Sequence, residues 1–189
     1  MPNEVHVVIT ARIIGRTWVV PYSHGAGLEL YVERGVQTNK PVIYEVPSYE
    51  LRVEGGGKYK AVRFGLQNKG RMPPPPFCHC DAGLWAAHSC TPTWVPGYSP
   101  HSFRGGPWAG AWRLLPGRGF LIHEGADTRV GYVGGSLGCV EILDGGWPTF
   151  LGEIKKLSGA DCAAVGKAGK LKVKIEGASL PTAKLASTP

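Results

Sequence analysis

The segment "FLIHEGADTRVGYVGGSLGCVEI", from Phe120 to Ile142, ends an apolar run on His123 and sets Cys139 inside a turn of small residues. A thiol with an ordinary pKa of about 8.5 is mostly protonated at pH 7, so cysteine chemistry needs an imidazole within hydrogen-bond reach to take the proton. His123 and Cys139 are the residue types for that exchange. Gly138 would let a substrate carbonyl approach the backbone, where the amides around Gly138 and Cys139 could hold an oxyanion without any side chain. From the pair alone, a buried cysteine beside a satisfied core histidine is an equal reading.

The pair can meet only if two strands are neighbours. "FLI" reads as a buried strand run that fixes His123 at its end, and "GGSLGCVEI" as a glycine turn feeding a second strand. Residues 4 to 65 alternate apolar and polar in "VHVVITARII", "RTWVV", "LELYVERGV", "PVIYEVP", "YELRVE" and "YKAVRFGL", which read as antiparallel strands joined by tight turns at "SHGAG" and "EGGGK". Residues 67–106 are rich in Pro, aromatic and Cys residues and too irregular for a ladder, so they are expected to form an ordered insertion over one face of the sheet. "AWRLLPGRGFLIHEG" resumes strand character, "CVEIL" supplies the next strand, and "KLKVKIEG" supplies the last. Between them "DGGWPTFLGEIKKLSG" gives one helix, with Pro148 in its first turn and Phe150, Leu151, Ile154 and Leu157 in one stripe. A single domain over residues 1–175 and a flexible tail over 176–189 follow.

Composition sets the outer limits. A chain of 189 residues with 43% hydrophobic content can bury a core, while Gly 28 and Pro 16 ask for many turns and few long helices. The formal charge of +7 favours anionic partners, but the bases are scattered with no nucleic-acid signature, so the excess reads first as solubility or weak surface attraction, and an anionic polymer such as a bacterial wall is compatible with it. No window reaches the roughly 18 uncharged apolar residues of a membrane span. The start "MPNEVHVVITARII" carries an acidic residue where a Sec signal would carry positive charge, so none is expected. Five cysteines leave at least one unpaired.

"IHEG" with "SLGC" resembles the active-site signature of the L,D-transpeptidases of YkuD type: a His, a spacer, Ser or Thr, any residue or His, then Gly, Cys and a hydrophobic residue. The match covers Ile122 to Val140 closely, and the strands before it and the helix after it in outline. Ser-x-Gly-Cys with "RGFLIHEG" is similar to the branch of peptidoglycan-targeting effectors delivered by type VI secretion. The resemblance implies a mostly-β, L,D-transpeptidase-like β-sandwich with one covering helix and a Pro/Cys-rich insertion. It implies Cys139 as the acyl-accepting nucleophile, His123 as its base, and Ser136 and Gly138 shaping the turn, with no cofactor. The expected reaction is acyl transfer on peptidoglycan stem peptides, with water, a D-amino acid or a second stem peptide as acceptor. An antibacterial effector exported by a non-Sec route and acting in the periplasm, with a matching immunity protein, follows from the same branch. Two positions depart from the family pattern. Leu137 stands where a second histidine is common, and Glu141 where Arg or Asn is common. A leucine cannot donate to a substrate carbonyl, so that duty passes to backbone amides or another residue. The departures also suggest a second reading, a non-catalytic wall-binding or structural β-sandwich that keeps only the shape of the motif.

Around this pair, Arg104, Arg113, Arg118 and Arg129 could grip stem-peptide carboxylates, Arg118 and Arg129 foremost for their nearness to the motif. Tyr98, Phe103, Trp108, Trp112 and Tyr132 could line a peptide cleft or plug core gaps. His6, His24 and His101 read as structural or solvated. "CHCDAGLWAAHSC" offers Cys78, His79, Cys80, His88 and Cys90 as zinc ligands, but Cys-x-Cys lacks the two to four intervening residues usual in a zinc knuckle. The alternatives to a metal are simple free thiols or a disulfide from Cys90 to Cys78 or Cys80, the disulfide being expected to order the insertion. A catalytic Cys139 is expected to react with iodoacetamide at pH 6 faster than an ordinary thiol.

Overall fold

The computed structural model describes residues 1–23, 30–33, 36–68, 79–82, 84–98, 109–127, 133–134 and 138–186. Its first strand, β1 (Val5–Val20), joins two runs that the sequence presents as separate strands. The join is irregular: the register against its partner shifts between Ile9 and Ile13 and again between Ile13 and Gly15, leaving Ile13 60% exposed. The bend lets one strand serve two cores. β2 (Tyr22–Ser23), β3 (Leu30–Glu33) and β4 (Val36–Pro41) follow, then the long β5 (Tyr44–Val53), β6 (Lys58–Val62) and β7 (Gly65–Asn68). Next come β8 (His79–Ala82), β9 (His88–Cys90), β10 (Thr93–Pro96), β11 (Gly110–Arg113), β12 (Leu121–Glu124), β13 (Val133–Gly134) and β14 (Val140–Ile142). The helices α1 (Gly146–Ser158) and α2 (Cys162–Lys167) precede β15 (Leu171–Ile175) and β16 (Lys184–Leu185).

With 45% strand and 15% helix the chain is mostly β, as its composition and patterning require. The main sheet is curled and runs β10-β11-β12-β14-β6-β5-β1-β15-β9, with β13 attached to β1 and β16 to β5. β1, β5 and β6 pair antiparallel, and the turn in "EGGGK" closes β5 onto β6. Antiparallel pairing, expected for the strands within residues 4–65, is found between β1, β5 and β6, whereas β1 with β15 and β12 with β14 run parallel. A parallel pair needs a crossover, and here the crossovers are long in sequence.

Three further expectations are corrected. A second helix, α2, is present; its sequence is too short and small-residued to show a stripe, but the Asp161 side chain caps it by accepting from the Ala164 amide at 2.8 Å. Residues 67–106 are not irregular throughout, since β9 pairs with β15 and β10 with β11 in the main sheet, while β8 pairs with β7. The tail is tied down in part: β16 pairs with β5, and the Ala178 amide donates to the Trp85 carbonyl at 2.8 Å. Backbone bonds hold these segments, and alternation of side chains does not report them.

Helix α1 covers one sheet face. Trp147, Phe150, Leu151 and Ile154 are buried, meeting Val7, Leu51, Ala61, Ile122, Val140 and Ile142 from the strands. Trp147 adds to the expected stripe, and Leu157 is only partly buried. Pro148 lies in the first turn as expected. A second core gathers Val19, Tyr44, Val46, Tyr49, Phe64 and Leu66. At its margin the fully buried Arg63 donates through Nη1 to the Thr10 carbonyl at 2.7 Å and through Nη2 to the carbonyls of Leu84 at 2.9 Å and Glu176 at 2.8 Å. Among the described residues no helix is long and apolar enough to cross a membrane.

Candidate active site

The two strands carrying the histidine and the cysteine are neighbours. β12 and β14 lie side by side and parallel, with Ile122 opposite Val140, His123 opposite Glu141 and Glu124 opposite Ile142. Side chains alternate across a sheet. Ile122, Val140 and Ile142 point into the core under α1. His123 and Glu141 therefore point to the opposite face, and Cys139, two residues before Glu141, shares it. Cys139 packs there with Ala111, Leu121 and the half-buried Tyr98. The short apolar run before His123 and the three-residue β14 thus bring imidazole, thiol and carboxyl to the side of the sheet opposite α1.

His123 is 2% exposed, and its Nδ1 lies 2.6 Å from the backbone carbonyl oxygen of Glu124. A carbonyl can only accept, so this contact requires a proton on Nδ1, and in the neutral ring the lone pair is then on Nε2, the tautomer a general base needs. The Tyr98 ring packs on the imidazole with centroids 5.6 Å apart. Cys139 is 8% exposed, and its Sγ donates to the Gly119 carbonyl at 3.3 Å. Gly138 holds φ 108°, a conformation that a side chain disfavours, so the turn into Cys139 requires glycine for its backbone. Gly125, just after "HE", is needed for space: an added Cβ would stand 2.9 Å from the Glu141 Cβ and 2.8 Å from the Leu143 Cδ2. The "HEG" triplet is thus partly an accommodation of Glu141.

Burial pushes the Cys139 thiol up to about 11; the Leu121 backbone works against the rise and the Glu141 charge adds to it. Burial first, then the charges of Cys139 and Glu141, raise the Tyr98 phenol. A thiol raised to about 11 is protonated at rest, which runs against the expectation of a thiolate at pH 6. Water-poor packing outweighs the amide's pull on the anion. Iodoacetamide should accordingly modify Cys139 more slowly than an ordinary thiol at pH 6, and the rate should keep climbing past pH 9, because only the deprotonated fraction reacts. Mass spectrometry of the modified peptide across pH measures this, and a plateau below pH 7 would mean a standing thiolate–imidazolium pair.

Arg118 is exposed on the turn between β11 and β12, one residue before Gly119. Arg113 is exposed too, and its register opposite Leu121 sets it on the face that carries His123 and Cys139. Trp112 points the other way and is buried in the core against Trp94, a gap-filler and not a cleft residue. Ser136, Leu137, Arg129, Tyr132, Arg104, Phe103, Trp108, His24, His101 and Cys78 lie outside the described residues.

Cys90 does not form the expected disulfide. Its strand pairs with β15 through Val173, its side chain packs against the core under α1, and burial pushes its thiol up to about 11. Cys162 is not in a disulfide either. His88 is exposed at the other end of β9, and among the described residues no group of three or more His, Cys, Asp or Glu could hold a metal ion. A hollow of about 400 Å³ opens along β1, β15 and β9, lined by His6, Glu54, Ser89, Thr91, Lys172 and Lys174 among others. It lies beyond β6 and β5 from Cys139 and shares no residue with the Cys139 cluster. Glu141 is what the sequence reading undervalued: it registered there as a departure from a motif, whereas the alternation of "CVEI" already set it on the face of Cys139. No known protein family, no curated protein and no solved structure matches the chain.

Proposed function

We propose that the protein is a cysteine-dependent acyltransferase acting on peptidoglycan stem peptides, built as an L,D-transpeptidase-like β-sandwich. The observation that carries this reading is the parallel β12–β14 register, with His123 and Cys139 on one face and the His123 proton assigned to Nδ1. Cys139 Sγ attacks the carbonyl carbon preceding a terminal D-residue while its proton passes to His123 Nε2. The tetrahedral oxyanion is held by backbone amides around Gly138 and Cys139. The C–N bond then breaks, His123 returns the proton to the leaving amine, and a thioester remains on Cys139. Water, a D-amino acid amine or a second stem-peptide amine attacks the thioester, gives its proton to His123, and Sγ takes a proton back. The exposed Arg118 and Arg113 are the described cations close enough along the turn and the sheet to meet a stem-peptide carboxylate. Mass spectrometry of muropeptides incubated with the protein tests the reaction: loss of terminal D-residues, their exchange, or new cross-links is expected, and an unchanged profile would count against it.

One observation favours a second reading, a non-catalytic wall-binding domain: both His123 and Cys139 are more than nine-tenths buried, and the thiol is held protonated. The muropeptide experiment separates the two, since binding alone leaves the profile unchanged. The catalytic reading extends to an antibacterial effector that reaches the periplasm of a target bacterium by a non-Sec route and is neutralised in its producer by an immunity protein. Expression in the cytoplasm should then be harmless, and fusion to a periplasmic signal should halt growth. Equal toxicity in both compartments would direct attention to a cytosolic target.

A further inference from the structure

We infer that Glu141 is a positioning residue of this site, its buried carboxyl group set opposite His123 in the β12–β14 register and two residues from Cys139 to support the imidazole as proton acceptor. The inference rests on the acyl-transfer reading above for its role in turnover, but not for its electrostatics. Glu141 is 1% exposed, and the glycine at position 125 keeps the space beside its Cβ open. Among the described residues, the groups that face it include Cys139 on its own strand, His123 on β12 and the Tyr98 phenol after β10. From β6 its register partner is Val62, and Lys60 stands two residues further along the same face with its ammonium 3.3 Å from Asp144. Arg113 on β11 is the exposed cation of that face.

A carboxylate here acts in opposite directions on the two reacting groups. It opposes a thiolate on Cys139 and favours an imidazolium on His123. The nucleophile is thereby kept as a thiol until its proton has somewhere to go, and the imidazole is a better acceptor when substrate arrives. Burial alone would do the reverse to the histidine, making it a poorer base. The sequence signature has a neutral or cationic residue at this position, so the carboxyl group is a feature of this chain's own site.

Glu141→Gln keeps the shape and removes the charge, and the full-length variant can be followed without any substrate through the ultraviolet absorbance of the thiolate. The midpoint of the Cys139 titration should fall by about one pH unit, since one nearby like charge has been removed. Turnover of stem peptides at neutral pH should fall by about tenfold, at the lower end of what losing acid–base support costs. Its acidic limb should move to lower pH. Loosening of the fold would also expose Sγ and lower the midpoint, so the shift is read only in a variant whose near-ultraviolet circular dichroism matches the wild type. Glu141→Asp, which keeps the charge, should hold the wild-type titration midpoint. An unchanged midpoint in folded Glu141→Gln overturns the inference. If that variant does not fold, the His123 ring signals in the wild-type protein decide. A titration at or above the ordinary histidine value of about 6.5 despite full burial upholds the role of Glu141, and a value well below it overturns it. A shifted thiol with no stem-peptide turnover in the wild type upholds the electrostatics while sinking the acyl-transfer reading, so the two failures are distinguishable.

Discussion

Cys139→Ala should abolish processing of tetrapeptide stems, by about 10³-fold or more, while the protein keeps its far- and near-ultraviolet circular dichroism. The two halves of that expectation have separate grounds. Sγ forms the covalent bond in the proposed mechanism, and the described side chains packed beside it, Ala111, Leu121 and Tyr98, offer no second thiol. Alanine on the other hand fits the same backbone, because the left-handed turn belongs to Gly138; what is lost is the hydrogen bonding of the thiol, which includes the Gly119 carbonyl and the Leu121 backbone. His123→Gln should cost about 10² to 10⁴-fold, since it removes the base but can still donate to the Glu124 carbonyl. Native trimming rates from purified Cys139→Ala would mean that the nucleophile has been misassigned.

The pair itself was legible because its two signals are local: an apolar run that ends on His123, and a glycine turn that opens onto Cys139. What lay between them was not. Whether "FLIHE" and "CVEI" touch is a matter of sheet order, and here the order β11-β12-β14-β6 brings sequence-distant strands together through backbone hydrogen bonds. Once the parallel register is known, Glu141 follows from the pleat. Before it is known, the alternation of "CVEI" sets Glu141 on the face of Cys139 but not opposite His123. The same limit explains β9 and β16, a few residues each, whose alternation is too brief to be read but whose backbone groups find partners on β15 and β5. The expected disulfide failed for a related reason: closeness in sequence set Cys90 near Cys80, whereas β9 belongs to the edge of the main sheet and turns Cys90 toward the core. The pKa of Cys139 was legible in neither motif nor composition, since it is set by how many apolar atoms surround Sγ.

Arg63 was not singled out from "YKAVRFGL", and its replacement should be among the most damaging in the chain. It is 1% exposed, and its guanidinium lies 5.5 Å from the Tyr49 ring centroid and 5.7 Å from that of Trp85. Burial lowers its pKa, and the nearby Tyr49 and Glu176 work in the opposite direction. Replacing a buried charge by an apolar residue is often harmless when its partner can be removed as well. That escape is closed here, because the acceptors are the backbone carbonyls of Thr10, Leu84 and Glu176, which no substitution deletes. Arg63→Met keeps most of the aliphatic packing and leaves three carbonyls without their donor, each costing about 1 to 3 kcal/mol if it stays dry. Water entering the gap relieves part of this, so a net loss of about 3 to 5 kcal/mol is expected, a large share of the stability of an ordinary domain. Arg63→Lys should recover little, because one ammonium on a flexible stem cannot span carbonyls on three segments or lie flat against two aromatic rings. Urea titration measures it: the midpoint should drop sharply with an unchanged slope. The consequence reaches the site, because Arg63 directly follows β6, whose last residue Val62 is the register partner of Glu141. A midpoint within about 0.5 kcal/mol of the wild type, the range of ordinary surface changes, would show that the three segments are held by the sheet alone.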